Sequence, residues 1–162
     1  MKLFRTDLIN GLNNTLFEIP VNELNTGEFV ITKEYLQCAL TSCPSMDGYK
    51  LNGTLELTTI ETCDRCLDDY EQPHQIPLTL WLTSNQEVLT DKSDDIIPFP
   101  DNQDWVDLSD TIQDLIFLDK SIKTVCKESC KGLCTTCGHN LNNSNCDCPV
   151  NSINDRWNVL KK

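Results

Sequence analysis

Six of the ten cysteines lie in one stretch, from Cys126 to Cys148, with the spacing Cys-x3-Cys-x3-Cys-x2-Cys-x8-Cys-x-Cys. Two thiolates from a tight Cys-x-x-Cys turn and two from a second segment can close a tetrahedron around a zinc ion. Gly138 follows the Cys-x-x-Cys turn, where the backbone usually needs a positive φ that glycine adopts without strain. The pattern predicts a closed structural zinc site with the ligands Cys134, Cys137, Cys146 and Cys148.

This cysteine content is also compatible with a disulfide framework, which stabilises many small secreted domains. However, the chain begins MKLFRTDLINGLNN, with no apolar stretch of signal-peptide length. No segment approaches the roughly 20 apolar residues that span a bilayer, so no membrane contact is expected. We therefore expect a reducing compartment and thiolate–metal chemistry. Structural disulfides and a redox-switched zinc site remain alternatives.

A second Cys-x-x-Cys pair, Cys63 and Cys66, lies far upstream and has three open interpretations. It is a thioredoxin-like redox pair, a metal-free pair with packing or binding duties, or half of a second zinc site. In the last case Cys126 and Cys130 complete the ligand set. The site predicted between Cys134 and Cys148 also has alternatives, in which Cys130 or His139 replaces one of its four ligands.

The charge of the chain is unevenly distributed along its length. The formal net charge is -12, yet the seven lysines and arginines of residues 120–162 outnumber the three acids there. We therefore divide the chain into an acidic body, residues 1–119, and a cysteine-rich zinc-binding segment, residues 120–162. An acidic body is a poor phosphate binder. The expected contact for RNA or another partner is a set of lysines, with a solvated lysine face as the alternative: Lys120, Lys123, Lys127 and Lys131.

The hydrophobic pattern predicts an α+β protein with a mainly antiparallel sheet, one packed helix and a C-terminal zinc knuckle. Residues 49–62 alternate between apolar and polar positions, and residues 76–82 form a second strand that pairs with them. Strand character is also visible at 15–21 and 28–31, whereas 35–40 fits a strand or a helix. Residues 84–107 are predicted to be an acidic loop, and 107–119 an amphipathic helix capped by Asp107 or Ser109. A short helix starting at Asp155 is predicted near the end of the chain.

Catalytic motifs are missing from the sequence. The two histidines, His74 and His139, are isolated, and no nucleophile elbow, P-loop or dinucleotide-binding pattern is present. We therefore expect a protein that is not an enzyme and has no small-molecule substrate.

Three stretches resemble the YceD family of large ribosomal RNA subunit accumulation proteins. They are CDRCL at 63–67, the segment leading to Val106-Asp107-Leu108, and CKESCKGLCTTCGHNLNNSNCDC with the closing DRWNVLKK. The resemblance covers about residues 50–162. It implies a non-enzymatic factor for accumulation or processing of large-subunit ribosomal RNA and for ribosome assembly, in the bacterial cytoplasm or the plastid stroma. The implied partner is ribosomal RNA, a large-subunit ribosomal protein or a precursor particle. Alternatives are a zinc-dependent protein-interaction adaptor without RNA contact and a thiol redox sensor.

Overall fold

The computed structural model describes residues 1–25, 27, 29–85 and 95–148. The chain divides into two compact units. The first unit consists of Met1–Ile60 and Glu71–Ser121, and the second of Glu61–Tyr70 and Ile122–Lys162. The boundary predicted at residue 120 stays a prediction. The structural division differs from it in two respects, because Glu61–Tyr70 groups with the cysteine-rich segment and residues 120 and 121 group with the first unit.

A mostly antiparallel sheet dominates the described residues, which confirms the predicted fold class. The strands are β1 Lys2–Phe4, β2 Thr15–Pro20, β3 Val30–Ile31, β4 Tyr35–Ser45, β5 Gly48–Thr62, β6 Asp69–Thr83, β7 Ile96–Pro98 and β8 Trp105–Asp107. The helices are α1 Arg5–Asn10, the 3-10 helix Val21–Glu23 and α2 Ser109–Leu118. The main sheet has the order β2-β4-β5-β6-β7, with β3 paired to β5, while β1 and β8 form a separate pair. β2 and β5 are antiparallel to β4, whereas β7 is parallel to β6.

Alternating burial along the long strands builds the core of the first unit. In β5, Leu51, Leu55 and Leu57 are buried, and polar residues lie between them, as the period-2 pattern predicts. β4 and β6 add leucines to the same core. Gly53 of β5 allows the close approach of β4, because a Cβ atom there would lie 2.3 Å from the carbonyl oxygen of Ala39.

β6 is longer than the sequence indicates, because it starts at Asp69 and includes the polar stretch expected to be a connection. Its exposed and half-buried residues alternate up to Ile76, so this first half is a strand with mostly polar side chains. Pro73 lies within this half. Among the described residues, β7 pairs only with Trp81, Leu82 and Thr83 at the other end of β6. The β7 side of β6 is therefore a sheet edge at Pro73, and proline is tolerated at an edge.

The structure settles one open expectation and corrects another. Residues 35–40, which fit a strand or a helix, belong to strand β4. The region 84–107, predicted to be a loop, contains β7 and β8. Both strands are only three residues long, which is too short for a visible period. The helix predicted at Asp155 lies outside the described residues.

Helix α2 confirms the predicted amphipathic helix. Ile112 and Ile116 are buried in the core of the first unit. The Asp107 carboxylate accepts hydrogen bonds from the backbone N–H of Ser109 at 3.0 Å and from its hydroxyl at 2.7 Å. The hydrogen bond from the Ser109 side chain is the main reason that the pKa of Asp107 falls to about 2.

No helix among the described residues is long and apolar enough to cross a membrane.

Replacing Ile112 by alanine should destabilise the first unit, because the side chain is 0% exposed and leaves a cavity. We expect Ile112→Ala to lower the free energy of unfolding by about 2–5 kcal/mol. Leu118→Ala is the matched control in the same helix, since Leu118 is 81% exposed; its effect should stay within about 0.5 kcal/mol. Urea unfolding followed by tryptophan fluorescence measures both. Equal effects of the two substitutions would contradict the packing of α2.

Candidate metal centres

The first cysteine cluster consists of Cys63, Cys66, Cys126 and Cys130, whose Sγ atoms all lie within 4.8 Å of one another. The Sγ atoms of Cys63 and Cys130 are 3.9 Å apart, and those of Cys66 and Cys126 are 3.8 Å apart. A disulfide bond needs about 2.05 Å between its sulfur atoms. All ten cysteines, each within the described residues, are free, so the disulfide alternative is wrong for this structure.

The sulfur–sulfur distances fit a metal ion. Four sulfur ligands at about 2.3 Å from a zinc ion form a tetrahedron whose edges are about 3.8 Å long. The two measured distances of 3.8 and 3.9 Å match such edges. Three of the four cysteines are buried. The cluster therefore has the donor type, the number and the spacing of a closed four-thiolate site.

The second cysteine cluster contains the four residues that the sequence pattern predicts as ligands. The Sγ atoms of these residues also lie within 4.8 Å of one another: Cys134, Cys137, Cys146 and Cys148. Cys130 belongs to the first cluster and does not replace any of them. His139 is not part of either cluster, and its Nε2 atom lies 2.7 Å from the Ser144 hydroxyl.

Both clusters are built on the same kind of Cys-x-x-Cys turn. Gly138 has φ 71° and donates its N–H to the carbonyl of Cys134 at 2.9 Å. Leu67 holds the same position after Cys66, with φ 59° and an N–H that donates to the carbonyl of Cys63 at 2.8 Å. The prediction of a positive φ at Gly138 is confirmed. A leucine rarely adopts this conformation, so the backbone of the first turn is strained at Leu67. The second turn has glycine at this position and avoids the strain.

The electrostatics of the clusters favour a cation. Burial by itself raises the pKa of the Cys63 thiol, but hydrogen bonds from backbone groups at 126, 66 and 65 outweigh it and lower the pKa to about 6. In the second cluster, backbone hydrogen bonds from Cys137 and Thr136 lower the pKa of Cys134 to about 6. Interaction with Cys137 raises the pKa of Cys148 to about 12. One thiolate thus forms readily in each cluster, whereas four together repel one another unless a cation lies among them.

Side chains outside the cysteines also contact the first cluster. The Asn142 amide donates a hydrogen bond to Sγ of Cys130 at 3.3 Å and lowers the pKa of that thiol. Nη1 of Arg65 donates to the carbonyls of Glu128 at 3.0 Å and Cys130 at 3.1 Å. Sequence reasoning missed both roles, because Asn142 is visible there only as a turn residue and Arg65 only as the spacer of a Cys-x-x-Cys motif.

The predicted lysine contacts do not all fall in one unit. Lys120 belongs to the first unit, and its ammonium lies 5.1 Å from the centre of the Phe29 ring. The other three belong to the second unit, are exposed, and form no ion pair among the described residues: Lys123, Lys127 and Lys131.

Other reactive side chains of the described residues are His74, Cys38 and Cys43. His74 lies 2.9 Å from the hydroxyl of the buried Thr59 and 2.6 Å from an Asp119 carboxylate oxygen. Cys38 is buried, which raises its pKa to about 11, and Cys43 is exposed. Both lie outside the two clusters.

These features define a class: an α+β protein, with a mostly antiparallel sheet, that carries two four-cysteine clusters able to hold a metal ion. Residues 51–162 match the family model described as "Large ribosomal RNA subunit accumulation protein YceD". The chain therefore belongs to the YceD family. No known solved structure matches it.

Two plant proteins are similar to part of the chain. Both are called "Large ribosomal RNA subunit accumulation protein YCED homolog 1, chloroplastic". The Arabidopsis thaliana protein is 42% identical over 55 residues, which are 34% of this chain and 17% of the relative. The Zea mays protein is 43% identical over 61 residues, which are 37% of this chain and 21% of the relative. The match thus spans about a fifth of the length of these relatives.

The geometry predicts that each cluster binds one ion. Titration of the reduced protein with Co(II) should saturate the thiolate charge-transfer absorption at about two equivalents. Cys66→Ser should reduce this to about one, because three thiols remain in the first cluster. Cys43→Ser is the control, since Cys43 lies outside both clusters. Saturation below one equivalent in the unsubstituted chain would contradict both sites.

Proposed function

We propose that this protein is a non-enzymatic, zinc-binding factor that acts in large-subunit ribosomal RNA accumulation. The family description supports the ribosomal part of the proposal. The sulfur–sulfur distances of 3.8 and 3.9 Å carry the metal part. The names of the plant relatives support a place in the plastid stroma, with the bacterial cytoplasm as the corresponding place for a bacterial chain.

Zinc is the ion that best fits both clusters. Soft thiolate ligands favour zinc, Cu(I) and iron–sulfur clusters. Among the common divalent metals, a four-coordinate set of thiolates selects zinc. A set of four protein ligands leaves no position for a substrate, so each ion would have a structural role. The ion would neutralise part of the thiolate charge and hold the segments around Cys63, Cys126 and Cys134 together.

The second unit needs such an ion, because its interior is made of sulfur. Its buried cluster consists of Cys63, Cys66 and Cys130, with only Tyr70, Val125 and Cys126 packed against it among the described residues. In small metal-binding modules, structural zinc supplies about 10–16 kcal/mol of apparent folding free energy. Removal of the ion should therefore unfold this unit and leave the leucine-rich core of the first unit intact.

The exposed lysines of the second unit are the proposed contact for RNA. Lys123, Lys127 and Lys131 carry positive charge that no described acid neutralises by an ion pair. The first 119 residues are strongly acidic and should repel phosphate. A phosphate-bearing partner should therefore approach the second unit. A basic ribosomal protein would instead favour the acidic residues, which makes a protein adaptor the competing outcome.

The zinc proposal predicts metal content and a local response to chelation. Protein purified reduced and without chelator should contain about two zinc ions per chain by elemental analysis. After chelation, limited proteolysis should cut within 122–148, while the fluorescence of Trp81 and Trp105 in the first unit stays unchanged. Less than half an equivalent of zinc, or unaltered protease resistance after zinc removal, would count against the proposal.

The RNA proposal predicts a charge-dependent fall in binding. Lys127→Glu with Lys131→Glu should weaken binding to a large-subunit ribosomal RNA fragment. The log–log salt dependence should also become shallower, by about 0.7–0.9 in slope for each phosphate that the protein no longer neutralises. Lys33→Glu with Lys50→Glu is the matched control, because both lysines are exposed in the first unit and the net charge changes equally.

Fluorescence anisotropy at two salt concentrations, with RNA and with a basic ribosomal protein as separate probes, measures these effects. Equally weakened RNA binding in the two double variants would show a general charge effect and remove the second unit as the contact. Tight binding to the ribosomal protein alone would favour the adaptor.

A further inference from the structure

The loop between Cys137 and Cys146 belongs to the second cluster but reaches the first. Its residue Asn142 donates from Nδ2 to Sγ of Cys130 at 3.3 Å and to Oδ1 of Asn140 at 2.9 Å. Oδ1 of Asn142 accepts from the backbone N–H of Lys131 at 2.9 Å. The Asn142 side chain, which belongs to the second cluster's loop, thus contacts the Cys130 thiol of the first cluster and the backbone of the next residue, Lys131.

The orientation of this amide is determined by its neighbours. The backbone N–H of Lys131 can only donate, so the amide atom that faces it must be the oxygen. The NH2 group therefore points to Sγ of Cys130. A Cys130 sulfur that accepts this hydrogen bond is held in one position relative to the other three ligands.

Further hydrogen bonds connect the two stretches of the second unit, Glu61–Tyr70 and the cysteine-rich segment. Nδ2 of Asn140 donates to Oδ2 of Asp68 at 2.6 Å, and the N–H of Leu133 donates to the carbonyl of Arg65 at 3.0 Å. Gly132 permits the second bond, because a Cβ atom there would lie 2.9 Å from the Arg65 carbonyl oxygen. Asn140 of the loop is thus joined to Asp68, and Leu133, which precedes Cys134, is joined to Arg65 of the Cys63–Cys66 turn.

We propose that Asn142 is a positioning residue that completes the first metal centre from the loop of the second, so that the two centres bind metal cooperatively. Metal at the second cluster fixes Cys137 and Cys146, and thereby the loop between them. The fixed loop presents the Asn142 amide to Cys130. This inference rests on the metal-binding part of the proposed function and is independent of RNA binding.

The first experiment tests Asn142 with two matched substitutions in the full chain. Asn142→Asp keeps the shape and the acceptor for Lys131 but lacks the N–H donor to Cys130. Asn143→Asp is the control, because it adds the same charge at the next residue of the same loop and Asn143 is exposed. Cadmium-113 NMR resolves the two centres, and competition with a chelator gives the affinity of each.

We expect Asn142→Asp to weaken Cd(II) binding at the first centre by about 10–100-fold, the usual effect of losing a hydrogen-bond partner of a metal ligand. The cadmium resonance of the first centre should also shift, because the hydrogen bond to Sγ of Cys130 changes the electron density at that ligand. Asn143→Asp should leave both affinities and both resonances nearly unchanged. An unchanged first centre in Asn142→Asp would overturn the role of Asn142.

A second experiment tests the cooperativity. Cys137→Ser removes the second centre and should weaken the first by a similar factor in the unsubstituted chain. In the Asn142→Asp background the same substitution should have little further effect, because the link is already broken. If Cys137→Ser leaves the first centre at full affinity, the inference is wrong. If the unsubstituted chain binds no Cd(II) at all, the metal proposal itself fails.

Discussion

The second unit depends on one physical constraint, which is that four sulfur atoms lie within 4.8 Å of one another in each of two places. Neutral thiols have little reason to gather at this density, and four thiolates repel one another. A divalent cation converts the repulsion into attraction, and the interior of the unit then needs few apolar side chains. The strained backbone at Leu67 and the donors around Cys130 both occur where the chain has to bring its ligands together.

The first unit follows a different principle. Its core is built from leucines and isoleucines on β4, β5, β6 and α2, and no cysteine of either cluster belongs to it. Burial of apolar surface holds this part together whatever the metal content. The chain thus combines a unit stabilised by the hydrophobic effect with one whose two clusters could be stabilised by coordination of a metal ion. Chelators should therefore act on the second unit, whereas substitutions of apolar residues act mainly on the first.

The sequence is most informative where the physical signal is local. The alternation of Leu51, Leu55 and Leu57 reveals β5, the spacing of Ile112 and Ile116 reveals α2, and the cysteine run reveals the second cluster. Local patterns leave three interpretations open for Cys63 and Cys66, because their partners lie 60 to 67 positions away; the structure selects the one in which Cys126 and Cys130 complete the set. The polar half of β6 escapes prediction because its side chains do not enter the core. Asn142 is recognisable only as a turn residue, since a hydrogen bond to a distant thiol leaves no mark on neighbouring positions.

The long separation of the first cluster's ligands has a consequence for synthesis of the chain. Cys66 precedes Cys126 by 60 positions, and Cys63 precedes Cys130 by 67. At translation rates of about 5–20 residues per second, the early pair waits roughly 3–13 s for its partners. During this interval the residues of β5 and β6 have already been synthesised, and the two thiols between these strands have no partner cysteines. A nascent chain of this protein therefore passes through a stage in which half of the first cluster is present before the other half exists.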